Sequence, residues 1–86
     1  MPEISRFFGI VVRMFYDEHP PPHFHVEYAE HRAVIRIDTI EVSRGTLPRR
    51  ALALVAEWAL VHREELRDDW RLAEEGRPLR AIEPLE

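Results

Sequence analysis

Hydrophobic spacing changes character once along this 86-residue chain. Through Ser43 the apolar residues alternate with polar ones or run in short stretches rich in Phe, Ile and Val, the pattern of β-strands. From Pro48 onward Ala, Leu, Arg and Glu dominate for most of thirty residues, and the apolar positions step by three or four, the pattern of an amphipathic helix. Strands first and helix last predict an α+β domain, a small antiparallel sheet of three to four strands packed against one long or bent C-terminal helix. Eighty-six residues suffice for one small domain, here residues 1–86.

Within the strand-forming half, Ile4 to Tyr16 is expected as one strand, apolar on both faces, with Gly9 at a bend or bulge. Asp17 to Pro22 is a connection stiffened by three consecutive prolines. Phe24 to Tyr28 and Arg32 to Asp38 then form a hairpin. With Glu30 and His31 as its turn, Tyr28 opposes Ala33, Val26 opposes Ile35 and Phe24 opposes Ile37, all six on one face. A short strand at Ile40 to Ser43 follows. Thr46 is a candidate helix N-cap with Pro48 in the first turn. Ala51, Val55, Trp58, His62, Leu66, Trp70 and Ala73 make one stripe, with either a continuous helix or a bend near His62 compatible with it. Gly76 and Pro78 stop the helix. The tail from Leu79 to Leu85 either adds an edge strand around Ile82 or packs extended.

Composition removes several functions. The chain has no cysteine, which excludes disulfides, thiolate zinc sites and cysteine nucleophiles. The N-terminus lacks a basic, cleavable leader pattern, and Phe7 to Val12 is too short to span a bilayer, so the expected location is cytoplasmic, without membrane contact. Net charge is −4, which argues against general duplex binding. The excess is local: residues 1–50 carry seven Arg and seven acids, residues 51–86 five Arg and nine acids.

Four of the five histidines fall between residues 19 and 31, in HPPPHFHVEYAEH. In the hairpin register above, His23, His25 and Glu27 line the polar face, with Arg36 across from His25 and Asp38 across from His23. Three readings stay open. Two histidines at i and i+2 on a strand can face one metal ion, zinc being suited to neutral imidazole, with candidates His19, His23 and His25. The candidates for proton-transfer catalysis are His23, His25 and Asp38. The third reading, ranked first, is structural, the histidines closing a rigid strand entrance or forming a binding surface. No cofactor is otherwise implied.

Arg44, Arg49 and Arg50 surround the expected helix start and form a candidate phosphate or nucleic-acid contact. Trp58, His62 and Trp70 on the helix stripe are candidates for a partner-binding surface, should the small sheet leave them uncovered.

Three stretches carry a resemblance: PEISRF at the start, HPPPHFH, and EWALVHREEL, which contains Glu57, Trp58, His62, Arg63, Glu64, Glu65 and Leu66. Together they resemble the bacterial domain-of-unknown-function family 4160 across essentially the whole chain. The resemblance implies a small stand-alone protein, often encoded beside a second small protein of the domain-of-unknown-function family 2442, in an arrangement like a toxin–antitoxin or regulatory pair. It carries His19, His23, His25 and His62 as family positions and implies no fixed activity. The leading expectation is therefore a protein-interaction module, half of such a pair, with a homodimer as a further state. The alternative is a histidine- or metal-dependent nuclease or hydrolase built on the 19–25 cluster.

Overall fold

The computed structural model describes residues 2–86, and every motif named above lies within them. The chain forms five strands and then two helices: β1 (Glu3–Phe7), β2 (Ile10–Arg13), β3 (His23–Tyr28), β4 (His31–Arg36), β5 (Val42–Gly45), α1 (Arg49–Val61) and α2 (Arg63–Glu74). The strands make one antiparallel sheet in the order β1-β2-β3-β4-β5. The α+β class holds, with five strands in place of three to four and two separate helices in place of one.

The extra strand comes from dividing the expected Ile4–Tyr16 strand. Phe8 and Gly9 take positive φ values, 50° and 79°, and Phe7 pairs with Ile10. A two-residue loop with φ positive at both positions has the twist that joins antiparallel strands tightly. Gly9 enters that region without a Cβ penalty, so it marks a full reversal rather than a bend. The apolar residues of both parities then sort into two short strands, with Ile4, Phe7, Ile10 and Val12 all buried.

The second hairpin turns at Ala29 and Glu30 instead of Glu30 and His31. Tyr28 pairs with His31, Val26 with Ala33 and Phe24 with Ile35. The register slides by two residues from the expected one. A shift of two preserves side-chain parity, which is why Phe24, Val26, Ala33 and Ile35 still share the buried face. The slide does move the polar pairs: His23 now faces Arg36 and His25 faces Val34.

The helices cover the apolar face. Ala51, Val55, Trp58, Leu66, Trp70 and Ala73 of the expected stripe are buried against it. Trp58 sits at the centre, its ring 5.4 Å from Phe7 and 6.0 Å from Phe24, and its Nε1–H donates to the Glu83 carbonyl at 2.8 Å. The helix breaks at His62, whose φ of −108° and ψ of 23° leave the α region. The first helix starts after Pro48, without a side-chain cap from Thr46. Beyond α2 the Arg77 N–H donates to Leu72 and the Gly76 N–H to Ala73, the bond pair of a Schellman stop. The tail then runs back along the sheet edge. Ile82 is buried, and its N–H donates to the Ile4 carbonyl at 2.7 Å, so the free edge of β1 is partly covered.

Candidate metal centre on the outer face of the sheet

Strand alternation puts Phe24 and Val26 inward and His23 and His25 on the opposite, outer face. The β2–β3 connection brings a third group to them. Asp17 turns the chain with φ at 62°, and the Tyr16 O–H donates to the Arg77 carbonyl at 2.7 Å, tying the loop to the end of α2. Past this anchor, Glu18 folds back over the start of β3. The triple proline follows, with Pro20–Pro21 cis, and the Ile37 N–H donates to the Pro22 carbonyl at 3.0 Å.

One carboxylate oxygen meets both imidazoles. Glu18 Oε1 lies 2.9 Å from His23 Nε2 and 2.6 Å from His25 Nε2. All three side chains are partly buried, and one ligand atom from each lies within 4.8 Å of the other two. Among the described residues only this trio of histidine and carboxylate groups is so arranged. Burial raises the Glu18 carboxyl, but hydrogen bonds and charge from His25 and then His23 outweigh it and hold the group below the usual carboxylate value.

The other ring nitrogen of His23 is fixed from behind. Nδ1 stands 2.8 Å from the Pro21 carbonyl oxygen, which can only accept, so Nδ1 carries the hydrogen. In a neutral ring Nε2 is then a bare lone pair aimed at a carboxylate oxygen. That contact is repulsive unless a cation, a proton or a metal ion, lies between the two. Ring packing holds both imidazoles: His23 lies 5.0 Å from Trp70, and Phe15 packs edge-on at 4.5 Å from His25.

The expected site residues are redistributed. His19 is exposed and stands outside the trio, whose third member is Glu18, a residue the sequence reading did not single out. Asp38 does not orient His23; it accepts from Arg36 at 2.7 and 3.1 Å. Arg44 lines an open groove with Glu18, His23 and His25, and Arg50 lines another groove beside Phe8, Tyr28 and Leu54. Trp58 and Trp70, expected at a partner surface, are buried in the core. His62 packs on Trp58 at 5.6 Å and pairs with Glu65 at 2.5 Å, away from the strand histidines. The apolar side chains left in solvent are instead Phe8, Tyr16, Leu60 and Val61.

No helix among the described residues is long and apolar enough to cross a membrane. No curated protein and no solved structure matches this chain. The family model described as "Domain of unknown function (DUF4160)" matches residues 9–71, from the β1–β2 turn into α2 and through the whole Glu18–His23–His25 trio, and the chain belongs to that family.

Proposed function

We propose that Glu18, His23 and His25 bind a divalent metal ion, zinc by donor chemistry, and that the protein is a metal-dependent hydrolase. The observation that carries this reading is the 2.8 Å contact between His23 Nδ1 and the Pro21 carbonyl oxygen, which assigns the ring hydrogen to Nδ1 and leaves Nε2 to face a cation. That Nε2 is turned toward a carboxylate already facing a second imidazole. A ligating histidine held from behind by a carbonyl is the usual second layer of a zinc site. Tetrahedral zinc with ligand bonds near 2.0–2.1 Å sets its ligand atoms about 3.3 Å apart. The two Glu18 contacts, 2.9 and 2.6 Å, reach that spacing by opening about 0.4 and 0.7 Å.

Two histidines and one carboxylate leave a fourth position, and catalytic zinc sites keep that position for water or substrate while structural sites fill it. The position opens on the groove lined by His19, Arg36 and Arg44. There the ion supplies Lewis-acid activation of water and ester, while Arg44, which has no ion-pair partner among the described residues, offers a cation to a negatively charged substrate; Arg36 is held by Asp38. The test is hydrolysis of nitrophenyl phosphate and carboxylate esters by the full chain, stripped with chelator and reloaded with zinc. Activity that returns with zinc and is lost in Glu18→Gln and His23→Ala supports the reading. Zinc-independent hydrolysis, or none in the zinc-loaded protein, contradicts it.

A second reading, association with a partner protein or a second copy of the chain, rests on Leu60 and Val61. These neighbours near the end of α1 are 60% and 73% exposed, and adjacent exposed aliphatics are the raw material of an interface. Leu60→Asp with Val61→Ser abolishing a stable complex, with the fold intact, supports it. A monomeric protein that captures no small partner from its host removes it.

A further inference from the structure

The outer face of the sheet extends the centre in one direction. His25 pairs with Val34, and Val34 with Arg44, so Arg44 stands two strands from the centre, roughly 10 Å at the Cα level. Arg32, across from Glu27, occupies the same face. Two open grooves of about 400 and 380 Å³ adjoin here and share His25, Val34 and Arg44. The first holds the trio. The second runs on past Phe15 to Arg32 and Gly45.

Charge along this path is selective. Arg13 is paired with Glu27 at 3.2 Å and Arg36 with Asp38 at 2.7 Å. Arg32 and Arg44 are exposed and have no ion-pair partner among the described residues. Two unneutralised guanidiniums, set apart along an open groove, suit a ligand whose negative charges are also set apart. A single small anion cannot span from the trio to Arg44 and Arg32, whereas a chain of phosphodiesters can. Phe15, half-buried and edge-on to His25, adds an aromatic wall to the same groove from the β2 side, and cationic grooves with aromatic platforms are how single strands are held without base readout. The acidic helices and the net charge of −4 disfavour the broad phosphate surface of a duplex.

We propose that this groove binds the phosphodiester backbone of a single-stranded nucleic acid, with Arg44 and Arg32 on successive phosphates and one phosphodiester presented to the Glu18–His23–His25 centre. The assignment of the substrate rests on the metal reading of that centre. Hydrolysis adds one water across the ester: the water oxygen bonds to phosphorus, the ester P–O bond breaks, and the leaving oxygen takes a proton from that water. No electrons are transferred.

The test is fluorescence anisotropy of the zinc-treated full chain with labelled oligouridylate, oligothymidylate and a duplex, each of about ten nucleotides, across a salt series. Zinc uptake is measured on the same samples. Single strands should bind better than duplex, and Arg32→Ala with Arg44→Ala should flatten the log K against log salt slope by about 1.4, at about 0.7 per lost phosphate contact. Preference between the two single strands assigns the sugar and supports the groove either way. Tighter duplex binding, no single-strand binding, or binding unchanged by the double substitution overturns it. The two readings fail separately. Zinc uptake without strand binding overturns the groove and leaves the centre, and arginine-dependent strand binding without zinc uptake overturns the centre and supports the groove as a binding site.

Discussion

Glu18 touches both histidines through a single oxygen, so its replacement by Gln keeps the shape and removes the charge that gathers them. Zinc at a hundredfold excess over its dissociation constant should raise the unfolding free energy of the parent chain by about 2.7 kcal/mol. In Glu18→Gln that gain should vanish in a urea titration. The His-x-His pair was legible because strand alternation puts i and i+2 on one face. Glu18 was not legible, because its approach depends on the reversal at Asp17 and the anchoring of Tyr16 to Arg77, contacts that no local pattern announces. Asp69 offers a pH test elsewhere in the molecule. It is 1% exposed, its Oδ1 accepts from the Arg80 N–H at 2.9 Å, and its Oδ2 has no partner. Burial raises its carboxyl above the usual value, the Arg80 bond opposing. A raised folded value means that its contribution is present below the ordinary carboxylate value, about 3.9, and is lost as pH rises through the folded one. Relative to Asp69→Asn, the parent chain should therefore lose stability as pH climbs from about 4 toward neutrality, measured as urea midpoints at each pH.

At the scale of elements, class and faces were legible while boundaries were not. The helical stripe from Ala51 to Ala73 was readable from spacing alone, and its apolar members are the ones that bury. The β1–β2 turn was hidden because Phe8-Gly9 lacks the Asn-Gly or Asp-Gly signature of such loops. The register of the second hairpin missed by two residues because Ala29 takes a positive φ of 52°, a conformation that composition does not advertise for alanine. Asp38 was consequently placed opposite His23, where Arg36 stands. The helix break at His62 has no proline or glycine to mark it. Two substitutions test the elements. Gly45 has φ at 81°, and a Cβ there would lie 2.1 Å from the Arg32 carbonyl oxygen. Gly45→Ala should cost about 2 kcal/mol or more by forcing β4 and β5 apart. Trp58 is fully buried between sheet and tail, and Trp58→Ala should cost about 3–5 kcal/mol. Denaturant midpoints at constant slope would check both.

The whole molecule divides its labour by face. The helices and the C-terminal tail seal the apolar side of the sheet, and the acidic residues of α2 other than the buried Asp69 face solvent. The opposite side of the sheet carries the free arginines and His25, and the trio is completed at the sheet end where His23 and Glu18 meet Trp70 of α2. The sequence showed the charge asymmetry between halves, but which arginines would be left unpaired depended on the final register. The function proposed for this face requires that Glu18, His23 and His25 hold a metal ion together. Its most direct test is calorimetric titration of zinc into the chelator-stripped full chain and into Glu18→Gln, His23→Ala, His25→Ala and His19→Ala. One zinc per chain is expected in the parent and in His19→Ala, with affinity falling by at least about a hundredfold in each of the other three. No zinc uptake by the parent, or uptake that survives loss of Glu18 and His23, would contradict it.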